Sequence, residues 1–105
     1  MAQTTILAAG TTAANSSTVT VGTTPVKVSI FTDAAKMPRC KLPLQEQAPT
    51  GSWQNYYGER PNWDEHQPVY LTNTRRSFTI TAPGSYRLVR SVESANVGAI
   101  SEDGA

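Results

Sequence analysis

The chain has 105 residues and a formal charge of +1, from nine basic and eight acidic side chains. This length supports one domain, and a charge so close to neutral, without a basic stripe, argues against nucleic-acid binding. No apolar run approaches the roughly 20 residues that span a bilayer, and residues 1–3 lack the charged start of a signal peptide. We therefore expect no membrane partner, and a protein that either stays in a cytoplasm or is assembled there.

The first 16 residues predict an extended arm outside the folded domain. They carry no charged side chain, and their only large apolar residues are Met1, Ile6 and Leu7. Ordering the backbone of this segment costs on the order of 16–32 kcal/mol. Burying three such side chains returns only roughly 5–9 kcal/mol. We therefore expect an arm over residues 1–16, ordered by a neighbouring subunit, and a folded domain over residues 17–105.

The middle of the chain alternates apolar and polar residues, as strands do. Residues 18–21 and 26–30 alternate on either side of a turn, which predicts a hairpin with one solvated face. Residues 40–46 alternate too, but Pro43 interrupts them, which predicts an edge strand. Residues 52–57 predict a further short strand.

Between residues 69 and 100 the sequence predicts four more short strands. Pro83 and Gly84 predict a tight turn between the second and the third, because proline presets φ and glycine accepts positive φ. The positions of this hairpin that share the inward phase are Phe78, Ile80, Tyr86 and Leu88.

Turn signals recur about every 8–12 residues along the chain, a spacing typical of β-sandwiches. We find no helix of ordinary length, no heptads and no internal repeat. The sequence therefore predicts an all-β fold: a single antiparallel β-sandwich of about seven or eight short strands with an extended N-terminal arm.

No set of residues indicates a reaction. Cys40 is the only cysteine, so no internal disulfide can form, and we expect it to serve packing. Asp64, Glu65 and His66 are metal-ligand types, but neighbouring side chains of an extended segment point apart, whereas a metal needs three or four convergent ligands. We expect no catalytic residue, no metal and no cofactor, and hence a protein that is not an enzyme.

Two groups of side chains are candidates for contact with a partner. Five of the eight aromatic residues fall between residues 53 and 70, and they could fill the core, contact another protein or stack on a glycan. Arg75 and Arg76, with Arg87 and Arg90, are predicted on the polar faces of the last strands. They either form a solvated face or meet an acidic neighbouring subunit.

The stretch from residue 69 to residue 100, with its strand–turn pattern around Pro83 and Gly84, resembles the C-terminal half of small tailed-bacteriophage virion proteins. The Thr/Ser-rich beginning followed by residues 26–30 is similar as well, so the resemblance covers about two-thirds of the chain. It implies a small β-sandwich in a virus particle, such as a capsid decoration or cement protein or a head or tail accessory component. Such proteins are often trimers and often use a terminal arm.

Two functional hypotheses follow. In the first, the protein binds and reinforces the capsid lattice. Its partners are then the major capsid protein or other virion subunits, and the protein is a homo-oligomer, such as a trimer, assembled in the host cytoplasm. In the second, it is a receptor- or glycan-binding module, or a tail accessory protein, of a phage particle. The candidate partner-binding residues are Ile6, Leu7, Trp53, Tyr56, Tyr57, Trp63, Arg75 and Arg76.

Overall fold

The computed structural model describes residues 3–56 and 69–103, which form two antiparallel sheets packed around one core. In chain order the strands are β1 (Gln3–Gly10), β2 (Ala14–Asn15), β3 (Val19–Val21), β4 (Val26–Thr32), β5 (Lys41–Gln47), β6 (Trp53–Asn55), β7 (Tyr70–Thr72), β8 (Ser77–Ile80), β9 (Gly84–Arg90) and β10 (Val97–Asp103). The described residues contain no helix, and so none that could cross a membrane. The prediction of an all-β sandwich is confirmed.

One sheet has the strand order β1-β10-β4-β8. In the other, β9 and β5 lie in the middle, β2 and β3 follow one another along β9, and β6 and β7 follow one another along β5. β5 is therefore an inner strand and not the edge strand that Pro43 predicted. Its ladder with β9 runs from Leu44 to Glu46, just beyond the proline, so the missing N–H lies outside that ladder.

Neither predicted hairpin forms, because the chain changes sheet at both turns. β3 pairs with β9, whereas β4 pairs with β10 and β8. In the same way β8 pairs with β4, whereas β9 pairs with β5. Gly84 has the positive φ (151°) that the sequence predicted. The segment around Pro83 nevertheless joins two sheets rather than two neighbouring strands.

The core is built from the inward-facing residues of both sheets. Of the four positions predicted to face inward, Ile80, Tyr86 and Leu88 are buried, while Phe78 is half-buried and packs against the core. The ring of Tyr56 makes edge-to-face contacts with the rings of Tyr86 and Phe78, whose centroids are 5.3 and 6.3 Å away. Aromatic residues thus fill one part of a core that is otherwise aliphatic.

Residues 3–10 belong to the sandwich, which corrects the prediction of a separate arm. β1 pairs antiparallel with β10 along its length, and Ile6 and Leu7 are buried in the core. The burial of side chains alone does not offset the cost of ordering this segment. A strand that joins an existing sheet also gains a ladder of backbone hydrogen bonds, each contributing about 0.5–1.5 kcal/mol.

The segment after β1 is attached to β9 by a buried serine. The N–H of Ser16 donates to the carbonyl oxygen of Leu88 at 2.8 Å, and the N–H of Leu88 donates to Oγ of Ser16 at 2.9 Å. The chain therefore does not divide at residue 16, and the described residues form one folded unit.

Arg90 is buried, although the sequence placed it on a polar face with Arg87. It follows the inward phase of β9, and only 5% of its surface is exposed. Its Nη1 donates to the carbonyl oxygens of Ala8 (2.8 Å) and Val97 (2.6 Å), and its Nε donates to that of Thr12 (2.7 Å). One guanidinium thus joins the first strand and the residues after it to β10.

Candidate functional site

The outward side of the sheet that contains β9 and β5 carries a continuous row of polar side chains. Strand register places Gln45 directly opposite Arg87 on one side and opposite Asn55 on the other. Nε of Arg87 donates to Oε1 of Gln45 at 2.9 Å, and Nε2 of Gln45 lies 3.5 Å from Oδ1 of Asn55. Three strands therefore contribute one connected set of groups.

Two cations on this side lie over aromatic rings. The guanidinium carbon of Arg87 is 4.5 Å from the centroid of the Trp53 ring, and Nζ of Lys41 is 4.2 Å from that of Tyr70. Each such contact contributes about 0.5–1 kcal/mol at an exposed site. The set that we call the outer face consists of Lys41, Gln45, Trp53, Asn55, Tyr70 and Arg87.

The outer face is positively charged. The outward phases of β5, β6, β7 and β9 contain Lys41 and Arg87 but no acidic residue in the part of the chain that the structure describes. Cations without acidic neighbours attract a complementary acidic surface and repel a copy of themselves. The outer face can therefore bind a partner through charge, planar amides and aromatic rings.

A separate cleft of about 590 Å³ opens beside Cys40 and Glu93, with the exposed side chain of Val92 on its lining. Oε2 of Glu93 is buried and has no hydrogen-bond partner within the described residues. Burial raises the pKa of the Glu93 carboxyl, and the charge of Arg90 opposes that rise. Burial, followed by the charge of Glu93, also raises the pKa of the Cys40 thiol, which Arg76 lowers in part. A buried thiol with a raised pKa is a poor nucleophile.

The structure separates the residues that the sequence grouped as partner-binding. Ile6, Leu7 and Tyr56 are buried in the core and not exposed on a surface, which corrects their assignment to a contact surface. Trp53 is half-buried on the outer face. Tyr57 and Trp63 lie outside the described residues, as do Asp64, Glu65 and His66.

Arg75 and Arg76 are exposed on the turn between β7 and β8. Nε of Arg76 donates to the carbonyl oxygen of Asn73 at 3.2 Å, and the guanidinium carbon of Arg75 lies 5.8 Å from the centroid of the Phe78 ring. Their contact with an acidic subunit stays a prediction. Across residues 3–56 and 69–103, no group of three His, Cys, Asp or Glu side chains is placed to hold a metal ion.

Sequence reasoning missed Lys41 and Gln45 as members of a binding surface. The alternation of residues 41–47 does indicate this surface, because the odd-numbered residues of this strand face outward. The pairing with Arg87 was not readable, because it depends on which strands become neighbours.

Comparison with known proteins supports the fold. The sequence matches no protein-family profile and no curated protein. The fold is similar to that in the crystal structure of SPBc2 prophage-derived protein YomS, with a TM-score of 0.64 and 13% sequence identity, over 95% of this chain and 88% of that chain. At this identity the similarity concerns the fold alone.

Proposed function

We propose that this protein is a structural component of a bacteriophage particle, in which the outer face binds an acidic patch of a neighbouring virion subunit and reinforces the shell. The fold supports a phage origin, since a prophage-derived protein shares it over nearly the full length of both chains. The partner in this proposal is the major capsid protein or another virion subunit, and assembly takes place in the host cytoplasm.

The observation that carries the proposal is the fixed guanidinium of Arg87. Trp53 lies against it and Gln45 accepts from its Nε, so the side chain is positioned before any partner arrives. Arg87 has five N–H donors, and only the one on Nε has a hydrogen-bond partner among the described residues. A guanidinium that is already positioned loses less conformational entropy when it binds a carboxylate.

The first test asks whether the protein is in the particle. Particles purified after induction of the strain that carries the gene are analysed by quantitative mass spectrometry, with the major capsid protein as internal standard. We expect a fixed ratio to the major capsid protein that survives gradient purification. Absence of the chain from infectious particles would refute the proposal.

The second test asks whether the outer face makes the contact. Arg87→Gln keeps a planar polar group but removes the charge, and we expect about tenfold weaker binding to particles that lack the protein, as for the loss of a hydrogen bond to a charged group. Lys27→Gln is the matched control, because Lys27 lies on β4 in the other sheet. Equal binding by both variants would show that the outer face is not the contact.

Glycan binding is a second candidate function, and the half-exposed Trp53 beside the amides of Gln45 and Asn55 favours it. Aromatic rings with adjacent planar polar groups suit stacking on a sugar. A glycan array with Trp53→Ala as the variant discriminates the two functions. Binding that Trp53→Ala removes and Arg87→Gln leaves intact would favour the glycan function over the shell contact.

A further inference from the structure

β1 and β3, which lie on the side of the sandwich opposite β8, contain no charged residue, although Glu102 of β10 pairs with Gln3 of β1. β1 is the edge of one sheet and β3 lies at the edge of the other, and a cleft of about 500 Å³ opens between them. Eight of the twelve residues that line this cleft are threonine or serine, and none is charged. The first 26 residues of the sequence, which include β1, β2 and β3, contain no charged side chain.

The β1 edge, which is eight residues long, lacks the charges and prolines that commonly protect an edge strand against pairing, although its ladder with β10 is irregular at two places and β3 beside it has only three residues. Edge strands expose backbone N–H and C=O groups, and proteins commonly protect them with lysine, proline or a very short strand. Over residues 3–21 there is neither a charge nor a proline. At the other edge of the same sheet, β8 has four residues and directly follows Arg75 and Arg76.

The exposed part of the β1 edge is its first half. The carbonyl oxygen of Ile6 accepts from the N–H of Ser17 at 2.7 Å, and that of Ala8 accepts from Arg90 at 2.8 Å. These two acceptors are therefore already used within the chain. The residues that precede Ile6 have exposed side chains: Gln3, Thr4 and Thr5.

We propose that a second copy of this chain docks on this edge, with the two β1 strands antiparallel across a two-fold axis and the two hydroxyl-lined clefts facing each other. The absence of charge on this edge favours a second copy of the chain as the partner. An uncharged edge can meet its own copy without bringing like charges together, whereas the outer face, with Lys41 and Arg87, cannot. A two-fold contact also uses each interaction twice. This inference is independent of the proposed shell contact and is tested on the purified protein alone.

The test measures self-association by sedimentation equilibrium over a concentration series. We expect a monomer–dimer equilibrium whose Kd is the same at low and high salt. Thr4→Lys on β1 and Thr20→Lys on β3 place a charge on the edge and should each raise Kd by about tenfold or more, since like charges then face each other. Thr79→Lys, on the exposed side of β8, is the matched control and should leave Kd unchanged.

Hydrogen exchange on the unmodified protein gives a second readout that does not depend on a variant folding. Above Kd, the amides of residues 3–5 and 19–21 should exchange more slowly than after dilution below it. A monomer at every concentration, a trimer, or a dimer whose Kd responds to Thr79→Lys but not to Thr4→Lys would overturn the proposal.

Discussion

Replacement of Arg90 tests whether one buried cation holds the first strand in the sandwich. Its guanidinium donates to the carbonyl oxygens of Ala8, Thr12 and Val97 at 2.6–2.8 Å. Arg90→Met keeps much of the aliphatic stem but removes all three hydrogen bonds. The residues directly after β1 then keep the backbone hydrogen bonds of Thr11 and Ser16 but lose the guanidinium that joins Ala8 and Thr12 to β10.

The magnitude follows from the number and kind of hydrogen bonds. One hydrogen bond from a charged donor contributes about 1.5–3 kcal/mol, but three from one group are not additive. Because removal also leaves buried carbonyl groups unpaired, we expect Arg90→Met to lower the free energy of unfolding by about 3–5 kcal/mol. Since domains are stable by only about 5–15 kcal/mol, the loss is a large part of the total.

The assay is urea unfolding followed by far-UV circular dichroism. Arg87→Met is the matched control, because it removes an arginine from the same strand but from the outward face, and it should cost about 1 kcal/mol or less. Arg90→Lys should fall between the two, since an ammonium keeps the charge without the planar fork. Equal urea midpoints for Arg90→Met and Arg87→Met would refute this account of the buried guanidinium.

Three further predictions concern stability and reactivity. A Cβ on Gly98 would lie 2.6 Å from the Phe31 ring, so Gly98→Ala should lower the free energy of unfolding, measured by thermal melting, by about 1–3 kcal/mol. Gly22→Ala is the control and should leave it unchanged, because a Cβ there would have no atom within 4 Å. Because burial raises the pKa of the Glu93 carboxyl in the folded state, the unfolded state loses this proton at a lower pH, and the free energy of unfolding falls as pH rises from the unfolded-state pKa through the folded-state pKa. Glu93→Gln should therefore raise the melting temperature at neutral pH and leave it unchanged at about pH 4. The Cys40 thiol should react with Ellman's reagent slowly in the folded protein and rapidly in urea, and fast reaction without denaturant would contradict its burial.

Alternation along the chain predicted which segments are strands and most of the core. Ile80, Tyr86 and Leu88 face inward because a strand has a period of two, and no other information is needed. The same rule would have placed Arg90 inward, since it shares its phase with Leu88. The charge of Arg90 suggests an exposed position, but its phase in β9 and its three hydrogen bonds to carbonyl oxygens place it inside.

Pairing between distant strands could not be predicted from local patterns. A turn such as the one before Gly84 can join two neighbouring strands or two sheets, and its residues are suitable for both. The inclusion of β1 depends on β10, about 90 residues further along the chain. The outer face likewise exists only because β5 brings Arg87 and Trp53 together.

The pairing of β1 with β10 also bears on how the protein folds. Because the first and last strands are neighbours, and because successive strands change sheet at two turns, few contacts form between residues close in sequence. Folds dominated by such non-local pairing fold in about milliseconds to seconds, far more slowly than helical bundles. On the ribosome, β1 has no partner until β10 has been synthesised, so the uncharged edge of a nascent chain stays open to other chains throughout translation.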